Sequence, residues 1–465
     1  MGNKFNIAVI GSGPGGYVAA IRAAQLGLKV ACIEKSEIGG ICLNWGCIPT
    51  KSLIKSAEVW RNVQSLDRFG ISCENPQLDF PKVIQRSRKI AERLSKGVEF
   101  LFKKNQITVF NGFGYFRDKN IIDVLNSDGT VSSEIVANSI IIATGARTRS
   151  IPGIEIDGQR IISSHEAMIL PEVPNSIVII GAGAIGVEFA YIFQSFGSEV
   201  NIIEMLPQLL PIEDEDISRE LTRYFKKQRI GIFTDTKVEN IVIKESSVEV
   251  LINKNGSKRI ISAECSLIAI GVRGNIENIG LEKIGVETVN GWIKVNDNYE
   301  TNVLGVYAIG DVIGNPCLAH VASAEGIHVV EKIAGHNPQP VNYRTIPGCT
   351  YCQPQVANVG LTEKRAAEEG YELKIGKFHF RANGKGLASG EIDGFVKVIF
   401  DSNTNRLIGA HIIGNEATEL ITELTLAITN KMTFNELKNS IHAHPTLSEA
   451  VMEAIEDAYG KAIHK

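Results

Sequence analysis

The sequence predicts an α/β protein of three domains, two of them alike, and three observations carry that expectation. Its 465 residues are too many for one hydrophobic core and suit about three domains. One strand, glycine turn, helix, strand pattern occurs twice, with first glycines 170 residues apart (181 − 11). From about Ile346 the style changes to alternating strands such as YELKIGKFHF and GFVKVIF, then helices from Glu416 onward, which marks a domain of another kind.

The first copy opens with FNIAVI, a β-branched run, followed by GSGPGG. Apolar residues then recur at helical spacing from Tyr17 to Leu26, and VACIE reads as a second strand ending on Glu34. The second copy is SIVII, GAGAIG, Val187 to Phe196 and VNIIE, ending on Glu204, again 170 residues on (204 − 34). A lone GxGxxG is weak, but two copies in matching context are strong. Gly11 and Gly181 allow the tight turn, Gly13 and Gly183 let the backbone approach a pyrophosphate, and Gly16 and Gly186 allow close helix packing. The phosphates then sit at a positive helix N-terminus. Glu34 and Glu204 are placed to accept hydrogen bonds from a ribose diol. The competing reading of each copy is a tight turn without a ligand. At Glu204 a 2′-phosphate would meet a like charge, and Met205 to Leu210 offer no Arg or Lys, so NAD is favoured over NADP.

Charge and composition exclude several classes. Forty-eight basic against 52 acidic residues give −4, with no global field for nucleic acid or an anionic membrane. The longest mainly apolar stretch, Ile177 to Val187, is interrupted by three glycines and falls short of a bilayer span. The N-terminal apolar run has no small-residue cleavage site and leads straight into the first glycine turn, so neither secretion nor a transit peptide is indicated. Eight cysteines are too sparse for a disulfide scaffold and point to a reducing compartment, expected to be the cytoplasm. Glycine alone is in excess, 44 in all.

Between the two units, Lys51 to Val63 and Phe80 to Lys104 read as helices. The second is rich in Lys and Arg, either a solvated face or a docking patch for an acidic partner. The segment GGICLNWGCIPTK, residues 39 to 51, follows the first ribose acid and holds Cys42 and Cys47. Five residues of regular helix rise about 7.5 Å, beyond the reach of an unstrained disulfide, so bridging requires a distorted helical start, and a strained bridge suits redox use. Lys51, four positions after Cys47, lies along the same face and can favour a thiolate. Zinc is disfavoured by the spacing and the want of further ligands, and no metal is expected. Cys349 and Cys352 form a CxxC in a segment read as a strand, which turns the two to opposite faces. Cys32, Cys73, Cys265 and Cys317 read as small core residues.

With these residues in hand, the sequence closely resembles the dihydrolipoamide dehydrogenases, flavoprotein disulfide reductases that serve 2-oxo acid dehydrogenase complexes. The resemblance runs end to end and is carried by GGICLNWGCIPTK, GAGAIGVEFA, YAIGD at 307–311, LAHVASAEG at 318–326 and HAHPTLSE at 442–449. It implies two Rossmann-like dinucleotide-binding domains plus a C-terminal α+β dimerisation domain. The corresponding segments are 1–150 and 276–345 for FAD, 151–275 for NAD and 346–465 for the interface. It implies FAD on Gly11, Gly13, Gly16 and Glu34, with Lys51, Gly114, Thr144, Gly145, Asp311, Leu318, Ala319 and His320. NAD is implied on Gly181, Gly183, Gly186, Glu188, Glu204, Val238 and Gly271, with Glu188 pairing Lys51 beside the flavin. Cys42 and Cys47 become the redox disulfide. Implied partners are a second copy of the chain, lipoyl domains and the E2 core of the complexes, with the glycine cleavage lipoyl protein a further candidate. VRGN at 272–275 and Gln355 depart from the usual pattern of that family.

In the C-terminal motif, Pro445 restricts His444 to extended backbone, and an imidazole held by Glu449 suits proton abstraction from a thiol. Thr446-x-x-Glu449 is equally a capping box. The resemblance assigns His444 as base, serving the partner subunit's site, with Glu449 orienting it and His442 structural. Glutathione reductase is disfavoured by Glu204, and mercuric or large thioredoxin reductases by the want of a cysteine after Cys352.

Overall fold

The structure, a computed structural model, describes residues 3–314 and 316–465. The first repeat folds as the strand Asn3–Ile10, the helix Pro14–Gln25 and the strand Val30–Glu34. Asn3–Ile10 pairs in parallel with Val30–Glu34 on one side and with Val131–Ile142 on the other. The strand order therefore reverses at its C-terminal end, which is where open α/β sheets bind ligands. Thr108–Asn111 extends one edge, and the antiparallel strands Phe113–Asp118 and Ile121–Leu125 extend the other. Val306–Ala308, far along the chain, returns to this sheet beside Ile140–Ile142.

The second repeat reproduces the geometry. Ser176–Ile180 lies between Glu199–Ile203 and Cys265–Ile268, all parallel, with the helix Ala184–Ser195 after the turn. An antiparallel three-stranded sheet, Lys237–Ile243, Val248–Lys254 and Ser257–Ala263, packs its apolar side against it. The last region is a five-stranded antiparallel sheet in the order Gly348–Thr350, Gln355–Gly360, Leu407–Gly414, Phe395–Asp401, Leu373–His379. Helices Ala417–Thr429 and Glu449–Asp457 bury Leu424 and Val451 against Val359, Phe400 and Ile412 of that sheet.

The basic helix Phe80–Lys104 resolves the choice left by its composition only in part. Lys82 and Lys96 pair with Asp79 and Glu92 in solvent, a solvated face. Arg86 and Arg88 instead point inward, donating to Ser52 Oγ at 2.7 Å and to the Asn44 carbonyl at 2.6 Å. Two cysteine readings need correction. Cys32 and Cys265 are buried, but Cys73 is exposed in an irregular stretch that packs on no core, and Cys317 lines a cavity. The Gln355 departure has a physical account: its side-chain carbonyl accepts from the Thr418 N–H and hydroxyl at the start of Ala417–Thr429. A neutral acceptor serves a helix N-terminus there as a carboxylate would.

The last sheet is held to the second repeat by ions. Lys397 is 2% exposed in the middle of an all-buried strand. Its ammonium donates to Asp214 at 2.8 Å, Asp216 at 3.0 Å and Glu363 at 2.7 Å. Burial pushes the Asp216 carboxyl up, but hydrogen bonds from Lys377 and Lys397 override that and hold it down to about 2. Removing Lys397 leaves the buried Asp214 carboxylate without its cation, while Asp216 keeps Lys377 and Glu363 is half exposed, a loss on the order of 3–5 kcal/mol. Lys397→Met is therefore expected to destabilise the protein by about that amount in urea titration, whereas Lys294→Met, at an exposed pair, costs under about 1 kcal/mol. A folded carboxyl held below its unfolded value of about 3.9 adds stability present above that pH and lost as pH falls toward 2. Lys397→Met should flatten that acid limb, and an unchanged limb would show that the ion cluster is not its source.

Candidate active site

The two glycine turns are built alike, atom for atom. Gly11 has φ +102°, and a Cβ there would lie 2.3 Å from the Ala143 carbonyl oxygen; Gly181 has φ +104° and the same 2.3 Å approach to Ala269. A Cβ on Gly16 or Gly186 would stand 2.0 Å from the carbonyl oxygen of Gly11 or Gly181. Gly13 and Gly183 have nothing within 4 Å of that position and line open space. Each turn thus demands glycine twice for packing and once for access.

The terminal acids do more than the spacing suggested. Glu34 accepts from the Ser12 N–H at 2.8 Å and the Ser36 N–H at 2.9 Å. Glu204 accepts from the Ala182 N–H at 2.7 Å and the Leu206 N–H at 2.8 Å. Each carboxylate therefore braces its own glycine turn and still borders the cavity, where remaining lone pairs face a ribose. A dinucleotide fits both cradles: a bare helix N-terminus, a glycine open to solvent and a held acid recur in each.

A single cavity of about 1620 Å³ runs between the repeats. That is larger than the roughly 300–1,000 Å³ of one drug-sized site and accommodates two extended ligands. Gly114, Thr144, Gly145, Asp311, Leu318 and Ala319 line it on the first repeat's side, and Glu188, Val238 and Gly271 on the second's. Burial pushes the Asp311 carboxyl up. His320 departs from its expected place; its ring is exposed and meets the Pro347 carbonyl at 3.0 Å, outside the cavity wall. The VRGN departure forms the short strand Val272–Gly274 against Ala146–Thr148, with Arg273 paired to Glu277.

Cys42 and Cys47 lie in the cavity wall where the chain does what bridging requires. The helix Gly40–Asn44 stops, Trp45 and Gly46 leave helical backbone, and a new helix begins at Cys47. A Cβ on Gly40 would lie 2.7 Å from the Cα of Gly13, so the cysteine segment is pressed onto the first glycine turn. Both cysteines are thiols in hydrogen-bonding contact. The Cys42 hydrogen bond is the main cause that lowers Cys47 to about 7, with Lys51 assisting; the same contact and burial push Cys42 up. The proton is held more tightly on Cys42 than on Cys47, which stands at a helix start.

Lys51 reaches across the repeats. Its ammonium contacts both Glu188 oxygens at 3.0 and 2.9 Å, and Glu188 also accepts the Tyr351 N–H at 2.9 Å. The Tyr351 ring lies 4.4 Å from the same ammonium. Tyr351 was not anticipated, and neither was the stack over the loop between the cysteines, where Arg88 lies 4.0 Å above the Trp45 ring and His165 3.9 Å from it. Their sequence signal was faint: Arg88 was one basic residue of eight on its helix. Cys349 lines the cavity while Cys352 is fully buried, so the CxxC pair is divided between two environments.

His444 stands apart from that wall, with its side chain 76% exposed. Its Nδ1 is 2.9 Å from Glu449 Oε1, while Glu449 Oε2 accepts the Thr446 N–H at 2.8 Å. Only half of the capping box forms: Glu449 accepts the Thr446 N–H, but the helix starts at Glu449 behind Ser448, and the Thr446 hydroxyl donates to the Ala443 carbonyl instead. The Thr446 backbone and then His444 hold the Glu449 carboxyl down. His442 is buried against Glu423 at 2.8 Å. Among the described residues no cluster of three or more His, Cys, Asp or Glu could hold a metal, and no helix is long and apolar enough to cross a membrane.

Known proteins share this architecture. Residues 5–326 match the pyridine nucleotide-disulphide oxidoreductase family and residues 346–455 its dimerisation domain. The dihydrolipoyl dehydrogenase of Zymomonas mobilis is 47% identical over the full length of both chains, and that of Bacillus subtilis is 44% identical, again over both whole chains. Among solved structures, LpdA from Mycobacterium tuberculosis superposes with a TM-score of 0.91 at 26% identity, covering 98% of this chain and 99% of its own. The flavoprotein disulfide reductase RclA from Escherichia coli, in its Cu(II) complex, does so at 0.88, 27% identity and the same coverage. The chain belongs to the pyridine nucleotide-disulphide oxidoreductase family, among its dihydrolipoyl dehydrogenases, and is an NAD-dependent flavoprotein oxidoreductase with FAD and NAD as its cofactors.

Proposed function

We propose that this protein oxidises dihydrolipoamide carried on lipoyl domains, with NAD⁺ as final acceptor, through a redox disulfide of Cys42 and Cys47. The observation that carries the reading is the thiol pair itself, set across a helix break in the cavity wall and unequal in its hold on a proton. Gly11, Gly13, Gly16 and Glu34 would hold FAD, with Asp311, Leu318 and Ala319 on the same side of the cavity. Gly181, Gly183, Gly186 and Glu204 hold NAD.

The partner subunit supplies the base across the dimer, its own copy of His444, with Glu449 fixing the ring through Nδ1. The imidazole takes a proton from one substrate thiol, and the resulting thiolate attacks Cys42 Sγ, breaking the Cys42–Cys47 bond. The second substrate thiol then displaces Cys42 from the mixed disulfide, leaving oxidised lipoamide, a Cys42 thiol and a Cys47 thiolate. FAD, when bound, would supply the two-electron redox chemistry that links the Cys42–Cys47 pair to NAD⁺. Lys51 holds positive charge beside the Cys47 thiolate, and Glu188 keeps that ammonium in place. The physiological partners are the E2 core and lipoyl domains of 2-oxo acid dehydrogenase complexes, in the cytoplasm; the glycine cleavage lipoyl protein offers the same group.

Three outcomes test this reading. Cys47→Ser is expected to abolish the long-wavelength thiolate-to-flavin absorbance of the two-electron-reduced protein, and a surviving band would overturn the assignment of Cys47. His444→Gln should slow dihydrolipoamide oxidation by about 10²–10⁴-fold, the usual worth of a general base, while NADH reduction of a one-electron acceptor stays near wild type; equal losses in both assays would place His444 elsewhere. In steady-state lipoamide reduction NADH should be preferred over NADPH, and the reverse preference would refute the role given to Glu204.

A further inference from the structure

Of the two residues that leave helical backbone between Cys42 and Cys47, Gly46 has no side chain, so only Trp45 can be gripped from outside. Space around the break is short: a Cβ on Gly46 would lie 3.1 Å from the Ile41 carbonyl oxygen and 3.5 Å from the Cys42 Cα. Each flank is stiffened by its own hydrogen bond. The Trp45 N–H donates to the Ile41 carbonyl at 2.7 Å, and the Thr50 hydroxyl donates to the Gly46 carbonyl at 2.7 Å.

Three elements hold the indole. Its Nε1–H donates to Glu37 Oε1 at 3.2 Å, in the loop ahead of Cys42. The Arg88 guanidinium lies 4.0 Å from the ring centre and donates to the Asn44 carbonyl at 2.6 Å, one residue before the ring. The helix that carries Arg88 is itself fixed to the cysteine segment, by Arg86 on Ser52 Oγ at 2.7 Å and by Ser95 on the Ile38 carbonyl at 2.6 Å. The third contact comes from the second repeat, where the His165 ring stacks on the indole at 3.9 Å with a 34° tilt. His165 lies on the short helix Ser164–Ala167, directly after the strand Ile161–Ile162 that pairs with Cys265–Ile268. A capping box between Ser163 and Glu166 closes that helix, and Glu166 Oε1 lies 3.1 Å from His165 Nδ1, which steadies the ring.

We propose that Trp45, held by Arg88 and His165, is a positioning residue that sets the equilibrium between the dithiol and the disulfide of Cys42 and Cys47. The physical basis is loop closure. Forming the bond confines both sulfurs whether or not the break is held, whereas the dithiol gains conformational freedom only when the break is loose. A held Trp45 therefore removes freedom from the dithiol and favours the disulfide. The proposal rests on the reading that these two cysteines are the redox pair, and it gives Trp45 no step in the reaction.

The test equilibrates the purified flavin-bound protein, without oxygen, in graded mixtures of reduced and oxidised dithiothreitol. Reduced dithiothreitol gives two electrons and two protons to the Cys42–Cys47 bond and closes to its cyclic disulfide. Alkylation and peptide mass then count the free thiols of Cys42 and Cys47. Trp45→Leu is expected to shift the equilibrium toward the dithiol about fivefold, the worth of roughly two ring contacts. That raises the midpoint potential by about 20 mV, at roughly 30 mV per tenfold change. His165→Ala and Arg88→Met should each shift it about two- to threefold in the same direction, and His165→Phe, which keeps a ring on the indole, should restore the wild-type ratio. Lys82→Met, at an exposed pair on the helix of Arg88, should change nothing. His165 is exposed, so His165→Ala decides the question where Trp45→Leu folds poorly. Wild-type ratios in Trp45→Leu and His165→Ala alike overturn the proposal, as does an equal shift in Lys82→Met or in His165→Phe. Wild-type protein whose Cys42 and Cys47 form no bond in oxidised dithiothreitol overturns the reading of the pair itself, a result separate from that of any variant.

Discussion

Everything at the centre of this molecule converges on one carboxylate. Glu188 is buried in the second repeat, takes the Lys51 ammonium from the first, and accepts a backbone N–H at Tyr351 from the last region of the chain. Three parts of the chain, which also share one apolar cluster, are thereby referenced to a single side chain. An ion pair of this burial adds little net stability, since desolvation offsets attraction, but breaking it leaves a charge without a partner. Its value is geometric: Lys51 lies one turn from Cys47 on the same helix, and Glu188 ties that ammonium to the second repeat and to the last region of the chain. The Lys397 cluster does the same work farther out, with three carboxylates on one ammonium.

The duplicated unit explains why so much of the architecture was legible in the sequence. At Gly11 and Gly181 backbone conformation forbids a side chain, and at Gly16 and Gly186 a carbonyl oxygen occupies the space one would need, so the residue type records the local geometry directly. The broken helix between Cys42 and Cys47 was legible for a similar reason, because a fixed covalent reach constrains the spacing. The unread parts depend on contacts between elements far apart in the chain. Nothing local marks Arg88 as an inward residue among its basic neighbours, nor Tyr351 as the roof over Lys51. Glu325 lay inside a motif quoted whole, yet its donors come from positions 310 and 343, which only folding brings together. His320 errs in the opposite direction, since a motif residue carried over by resemblance turns its ring away from the cavity while its neighbours Leu318 and Ala319 face it.

The thiol pair shows how a fold makes two identical groups chemically different. Cys47 begins a 17-residue helix and so meets the positive end of the helix dipole, with Lys51 one turn further along. Cys42 is the middle residue of a five-residue helix and is raised by its hydrogen bond to Cys47 and by burial. The proton is therefore held more firmly on Cys42, and negative charge is favoured on Cys47.

The same logic of placement accounts for a third domain that contributes few residues to the cavity wall. Two dinucleotides laid along one cavity fill it from both repeats, so a dithiol substrate and its base must arrive from a side that neither repeat supplies. His444 sits on the last region, largely exposed, its ring already oriented by Glu449 although the cavity of its own chain does not include it. An oriented but solvent-facing imidazole costs one carboxylate and gains nothing within a single copy. Under the function proposed above it serves the cavity of a second copy, and the match to a dimerisation domain spans its position.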